Sequence, residues 1–169
     1  MKKHPIIRKP RVVIGMSGGI DSSVAAYLLK KEGYDVVGVF LKLWEPDHEH
    51  YETTRRDNLC CDITSLLRAH TVAAMLDIPL YTINARDTFK EQIVDYYIYE
   101  YEHGRTPNPC VRCNKMIKFG LLWEKAQMLG AQYLATGHHV RLQRTKVKSE
   151  KLQVKSYGVP STRDNYYQI

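Results

Sequence analysis

The chain reads as an α/β protein built on a doubly wound parallel sheet. Short apolar runs such as Val36 to Leu43 alternate with longer stretches of helical periodicity. The first run, Val12 to Met16, passes directly into the glycine-rich bend Ser17-Gly18-Gly19-Ile20-Asp21-Ser22 and then a helix start. Chemistry-bearing residues recur just after strand patterns, at the carboxyl edge where sheets of this class bind ligands.

Taken in order, Val12 to Met16 is the first strand. The helix Ser22 to Lys31 follows, with Val24, Ala25, Leu28 and Leu29 on one face, and it closes at Gly33, a suitable left-handed cap. Val36 to Leu43 is the second strand. Residues 45–59, acidic and rich in histidine, read as a loop. The helix Asp62 to Leu76 is expected to turn Ile63, Leu66, Leu67, Ala73 and Ala74 inward, and Ile78-Pro79 ends it. Leu80 to Ile83 is the third strand. A long helix from Asp87 to His103 carries Phe89, Ile93, Tyr97 and Tyr101 at steps of four, with Val94 and Ile98 beside them, and these aromatics are expected in the core. Gly104 breaks it. After a proline-rich loop, Lys115 to Leu129 is helical with Ile117, Leu121, Leu122 and Ala126 inward, and Gly130 closes it. Tyr133 to Thr136 is the fourth strand, and Gly137-His138-His139 leaves its carboxyl end. From Arg141 the pattern fails. The expected organisation is a basic arm at 1–10, one domain at 11–141, and a basic irregular tail at 142–169 that begins a truncated continuation.

The bend after the first strand is a phosphate-holding device. Glycines at 18 and 19 let backbone N–H groups approach phosphate oxygens, Ser17, Ser22 and Ser23 add hydroxyls, and the helix start supplies further N–H groups and a positive dipole end. Two familiar phosphate loops do not fit. A Walker loop needs Lys-Ser/Thr after its second glycine, where this chain has Ile20-Asp21. No register of residues 15–23 supplies the Gly-x-Gly-x-x-Gly dinucleotide fingerprint. Ser-Gly-Gly-x-Asp-Ser resembles the PP-loop of the ATP pyrophosphatases, which transfer AMP to an oxygen and release pyrophosphate. Asp21 is then the magnesium-side carboxylate. The bland alternative is an ordinary strand-to-helix turn capped by Asp or Ser.

A chain of 169 residues suits one domain, which by size scaling buries about 70% of its unfolded surface. Its apolar runs fall far short of the roughly 18 residues that span a bilayer, and no signal-peptide pattern follows the basic start, so no membrane partner and a cytoplasmic location are expected. Four cysteines in such a chain suggest reduced thiols, metal ligands or catalysts. The net charge of +7 is uneven. Residues 1–11 carry five basic residues and no acid, and residues 141–155 carry six against Glu150, leaving the rest at net −3. Basic flanks around a slightly acidic body suit a polyanion held at the rim of the site, or are solvated tails.

The other informative stretch is Gly104-Arg105-Thr106-Pro107-Asn108-Pro109-Cys110-Val111-Arg112-Cys113-Asn114-Lys115. Prolines stiffen it, and Cys-x-x-Cys at a helix mouth brings two thiols within reach of one metal or of each other. Arg105, Arg112, Lys115 and the helix start favour thiolate. Together with the PP-loop, Ile117-Lys118-Phe119 and Ala135-Thr136-Gly137-His138, this stretch resembles the tRNA-specific 2-thiouridylases in order and spacing over about residues 11–141.

The resemblance implies the PP-loop (adenine nucleotide alpha hydrolase-like) fold and a set of site residues. Gly15, Met16, Ser17, Gly18, Gly19, Ile20, Asp21 and Ser22 would bind ATP phosphates with Mg2+, while Leu41 and Gly137 line the nucleotide site. Asn108, Pro109 and Cys110 would approach the target base of tRNA, His138 would contact tRNA, and Cys113 would be the first catalytic cysteine. It implies adenylation of a uracil 2-carbonyl and its displacement by sulfur from a persulfide-carrying partner protein, at the wobble uridine of the tRNAs for lysine, glutamate and glutamine. Many members have Asp where this chain has Cys110, which puts that group's acid-base role in doubt. Cys110 and Cys113 instead look like the variant that shares an iron-sulfur cluster with a third, distant cysteine, or like a zinc knuckle; the adjacent Cys60 and Cys61 read as small buried side chains, with a third ligand the lesser alternative. The family also continues into a portion with a second catalytic cysteine, so a fragment that binds ATP and tRNA without turnover, or another PP-loop ligase, are the alternatives. His48, His50, His70 and His103 are assigned nothing.

Overall fold

The computed structural model describes residues 9–44 and 63–140. The arm before Lys9, the 45–59 loop, Cys60 and Cys61, and everything from Arg141 lie outside the described residues, and so does the expected boundary of the domain after residue 141.

Four parallel strands form one sheet: β1 (Arg11–Gly15), β2 (Asp35–Lys42), β3 (Leu80–Asn84) and β4 (Tyr133–Ala135), in the order β3-β2-β1-β4. The chain builds outward from β1 to β3, then crosses back to lay β4 on the other side of β1. That reversal creates a crevice between the carboxyl ends of β1 and β4.

Alternation along the strands divides the core into two layers. Val12, Ile14, Met16, Val36 and Phe40 face one side, covered by α1 (Ile20–Lys31) through Ala26 and Leu29 and by α2 (Ile63–Met75) through Ala69 and Ala73. Val13, Val37, Val39 and Leu134 face the other and meet Leu122 and Ala126. Helix α1 ends in a Schellman motif: Gly33, at φ +90°, donates to the Lys30 carbonyl and Tyr34 to that of Leu29. The expected cap at Gly33 is therefore present.

Three expectations shift. In α2 the inward face is Ser65, Ala69 and Ala73 with Leu66 and Val72 beside them, while Ile63, Leu67 and Ala74 face out. Small residues face inward because the helix lies close to the sheet. The long helix α3 (86–102) runs through Arg86–Phe89, a π-helical segment Lys90–Asp95, and Tyr96–Glu102. Wider turns displace the four-residue stripe, so Ile93 is buried while Tyr97, Ile98 and Tyr101 are exposed. Helix α4 (109–128) begins six residues before Lys115, at Pro109, and runs through Pro109–Cys113, a π-helical segment Asn114–Leu121, and Leu122–Met128. Asn108 is its N-cap, accepting from the Val111 N–H at 3.1 Å, and Pro109 occupies N1.

A third apolar cluster covers the carboxyl ends of β2 and β3. Leu43, Ala85, Ile93, Cys113 and Ile117 are buried there, with Leu41, Phe89 and Leu121 packed against them. It fastens α3 and α4 over the edge of the sheet that carries the bend.

Candidate active site

The bend between β1 and α1 is held by its own serines. The Ser22 hydroxyl, only 3% exposed, donates to the Gly19 carbonyl at 3.1 Å and accepts from the Ser17 N–H at 3.3 Å. Ser23 also donates to the Gly19 carbonyl, at 2.8 Å. Both hydroxyls thus maintain the loop, and the exposed Ser17 accepts from the Gly19 N–H at 3.4 Å. Gly18 sits at φ +75°, and a Cβ there would stand 2.2 Å from the Ser65 carbonyl oxygen, so α2 closes tightly behind the loop. No side chain caps α1 at Gly19, which leaves its first N–H groups for an anion. This arrangement fits the phosphates of a nucleotide.

The segment after β4 closes onto that loop. A Cβ on Gly137 would stand 2.6 Å from the Ser22 nitrogen, so only glycine permits this approach. His139 Nε2 lies 3.3 Å from Asp21 Oδ1. His138 Nδ1 is 2.8 Å from the Thr136 hydroxyl, and its ring lies 5.4 Å from that of Phe119 on α4. Burial pushes the His138 imidazole below its ordinary pKa of 6.5, and the nearby charges of Lys118 and His139 act in the same direction.

Helix α4 carries the thiols. Cys110 is exposed, Cys113 is 9% exposed within the third cluster, and neither is in a disulfide. Six residues of helix separate Cys113 from Phe119, at most about 9 Å along the axis. The bend, the β4 segment and the thiols therefore share the carboxyl edge of the sheet. Arg112 ties α4 to α3: its guanidinium lies 3.9 Å from the Tyr96 ring centroid, and Nε donates to the Gln92 carbonyl at 2.6 Å. Arg105 is bound by both nitrogens to Glu100, at 2.6 and 2.9 Å, and holds that carboxyl below the usual carboxylate range. Its charge is thus balanced locally by Glu100.

A cavity of about 800 Å³ opens at the opposite, amino edge of the sheet, lined by Lys9, Arg11, Lys30, Tyr34 and Asp35 among others. It is distant from every strand carboxyl end, and Arg11 pairs with Asp35 across it at 2.7 Å. It has no part in the site.

A family model described as the tRNA methyl transferase HUP domain matches residues 10–168. The chain belongs to this family. It is 53% identical over 135 residues to a tRNA-specific 2-thiouridylase MnmA of Clostridium perfringens, covering 80% of this chain and 37% of that protein. It is 45% identical over 159 residues to the tRNA-specific 2-thiouridylase MnmA of Clostridioides difficile, covering 94% and 42%. The chain thus spans about two fifths of the length of these curated relatives. A glutamine-dependent NAD+ synthetase from Acinetobacter baumannii, solved with adenosine diphosphate, superposes at TM-score 0.50 and 16% identity over 75% of this chain and 21% of its own; this likeness is one of fold.

Within this HUP domain the sequence-derived residues fall into two linked groups. Gly15 to Ser22 and Gly137 surround the crevice, with Met16 buried beneath it and Ile20 exposed above. Leu41 packs against both the α4-facing core and the cluster that holds Cys113. Asn108 and Pro109 open α4, so the Asn108 side chain is engaged as its cap. Sequence reasoning missed His139, Phe119 and the Arg112–Tyr96 clamp. His139 was accessible as the neighbour of His138, and Asn-Pro as an N-cap and N1 pair would have revealed the start of α4. Phe119 stood in the Ile117-Lys118-Phe119 motif without a role of its own, and nothing local marks Tyr96. Among the described residues no group of three His, Cys, Asp or Glu stands where it could hold a metal ion. No helix among them is long and apolar enough to cross a membrane.

Proposed function

We propose that this chain is the nucleotide- and sulfur-handling part of a tRNA-uridine 2-sulfurtransferase. In this reading ATP binds over residues 15–22, with its adenosine side toward Leu41 and Gly137. Asp21 is the carboxylate that would hold Mg2+ there, and the ion would supply neutralisation of the phosphate charge. The 2-carbonyl oxygen of a uracil is a poor leaving group, and transfer of AMP to it with release of pyrophosphate makes that carbon open to sulfur. Asn108, Pro109 and His138 lie toward the tRNA, the wobble uridine of the lysine, glutamate and glutamine tRNAs being the expected target. Cys110 and Cys113 handle the sulfur, supplied by a persulfide carrier protein. The cytoplasm suits these partners.

One observation carries the reading: α4 reaches from the thiols at its start to Phe119, which lies against His138, next to the His139–Asp21 contact at the loop. The likeness to enzymes named tRNA-specific 2-thiouridylase supports sulfur rather than methyl transfer. Within the described residues the thiol ligands stop at two, whereas an iron-sulfur cluster is ordinarily held by four. The reading does not depend on a cluster.

The test is to supply the chain with tRNA, ATP, Mg2+ and a persulfide donor, and to follow pyrophosphate release and 2-thiouridine by nucleoside mass spectrometry. Asp21→Asn is expected to abolish both. Cys113→Ser is expected to release pyrophosphate yet, without added reductant, to yield no free thiouridine. Undiminished tRNA thiolation by Cys113→Ser would falsify the proposal. Pyrophosphate release with no thiouridine from the unmodified chain would instead favour a fragment that binds and activates without completing turnover.

A further inference from the structure

The phosphates of ATP carry several negative charges, and the bend between β1 and α1 brings no cation to meet them. Residues 17–23 contain neither Lys nor Arg, and their one charged side chain is the carboxylate of Asp21. A Walker loop answers the same need with a lysine of its own. Resting on the function proposed above, the structure assigns this duty to Arg68 of α2: its guanidinium binds the terminal phosphates of ATP and the pyrophosphate that leaves.

Helix α2 touches the bend at one place. A Cβ on Gly18 would stand 2.2 Å from the carbonyl oxygen of Ser65, 2.8 Å from its carbonyl carbon and 2.9 Å from its α-carbon, so Ser65 lies directly behind Gly18 near the amino end of the helix. Arg68 follows three positions later and shares that side of α2. Helical side chains lean toward the amino end. The Arg68 side chain does so, and its Nη2 donates to the Ser65 hydroxyl at 3.0 Å. The anchor is fixed, because Ser65 is only 6% exposed, while Arg68 itself is exposed. A guanidinium has five N–H donors, and this bond uses one.

The charge of Arg68 is also uncommitted. Arg11 and Arg105 are paired with Asp35 and Glu100, and Arg112 is stacked on Tyr96. Among the described residues no carboxylate pairs with Arg68. Its place also selects which phosphates it meets. The bend is flanked by Gly137 at Asp21 and Ser22, and by Ser65 at Gly18. With adenosine toward Leu41 and Gly137, the phosphate chain runs toward Gly18, and its far end comes to Arg68. The planar fork suits two phosphate oxygens at once. In adenylation the uracil oxygen attacks the α-phosphorus, the bond from that phosphorus to the bridging oxygen breaks, and the uracil N3 proton goes to solvent. The electron pair of the broken bond leaves on pyrophosphate, where the guanidinium stabilises the added charge.

Calorimetric titration with three probes tests this: a non-hydrolysable ATP analogue, inorganic pyrophosphate and AMP, each with Mg2+. Arg68→Gln should weaken binding of the analogue and of pyrophosphate roughly 10- to 150-fold, as expected for one lost charge-assisted bond, and leave AMP unchanged. Arg68→Lys should recover only part, because an ammonium lacks the fork. Ser65→Ala keeps the guanidinium but releases it from its anchor, so its loss should fall between those of the other two. Thermal denaturation verifies each fold, and Arg68→Met, which keeps the apolar stem, replaces Arg68→Gln if the latter is unfolded. Native affinity for pyrophosphate in the folded Gln or Met variant overturns the assignment. An equal loss for AMP and pyrophosphate overturns it as well. If the unmodified chain binds neither the analogue nor AMP, the function proposed above fails, and this inference fails with it.

Discussion

Replacing Gly137 by alanine tests how the segment after β4 closes on the bend between β1 and α1, and whether that bend holds phosphate. The new Cβ would lie 2.6 Å from the Ser22 nitrogen and 3.0 Å from both the Asp21 carbonyl carbon and the Ser22 α-carbon. All three atoms are backbone in the first turn of α1, and that turn is anchored by the Ser22 and Ser23 bonds to Gly19. No flexible side chain can absorb the contact, so loop and segment must separate. Overpacking of this kind costs about 1 to 3 kcal/mol. For a chain of this size that is a fall in Tm of roughly 2 to 12 °C. Displacing one N–H donor from a phosphate removes a charge-assisted bond of about 1.5 to 3 kcal/mol, weakening Kd roughly 10- to 150-fold. Gly33→Ala is the control: Gly33 has φ +90° and no heavy atom within 4 Å of the added Cβ. It should lose about 1 to 2 kcal/mol from backbone strain with no change in affinity. Thermal denaturation and calorimetric titration with a non-hydrolysable ATP analogue and Mg2+ measure both. Native affinity in Gly137→Ala, or equal losses of affinity in the two variants, refutes the reasoning.

Arg112→Ala should cost about 1 to 2 kcal/mol by removing the stack on Tyr96 and the bond to Gln92, and Arg112→Lys should restore only part of it because an ammonium lacks the planar face; denaturant titration is the check. His138 contributes a pH dependence of definite sign. Its folded pKa lies below the ordinary 6.5, so as pH falls through 6.5 the unfolded chain takes up the proton first and stability drops until the folded ring is protonated too. His138→Gln should flatten the stability profile in that window, and an NMR titration of the His138 ring in the native protein should give a midpoint below 6.5. Neutralising the six basic residues of 141–155 should weaken tRNA binding and flatten its dependence on log salt by about 0.7 to 0.9 per lost phosphate contact. An unchanged slope would make that segment a solvated tail.

The four strands were legible to within about a residue at each end, because apolar runs bounded by Gly, Pro and polar residues are local signals. The two long helices were legible as helices, and in α4 the inward Ile117, Leu121, Leu122 and Ala126 were legible too, whereas the facing of α3 was not. A strict step of four places Phe89, Ile93, Tyr97 and Tyr101 on one stripe, yet the π-helical turns at Lys90–Asp95 change its phase and expose the last two. In α4 the buried residues Cys113, Ile117, Leu122 and Ala126 are spaced at four, five and four, and of these only Cys113 was not expected inward. Of the candidate site, the loop and the Cys-x-x-Cys motif were evident as residues. Their spatial relation was not.

The chain's own residues determined a strand, a glycine- and serine-rich bend and a pair of thiols, since glycine torsions, serine hydroxyls and Cys-x-x-Cys spacing act over a few positions and remain readable without a fold. Only the tertiary structure decided that Phe119 meets His138, that His139 meets Asp21, and that Cys113 is buried while Cys110 is not. Those facts depend on helix phase and on which face of α4 the sheet and α3 cover, and both arise from packing between segments tens of residues apart.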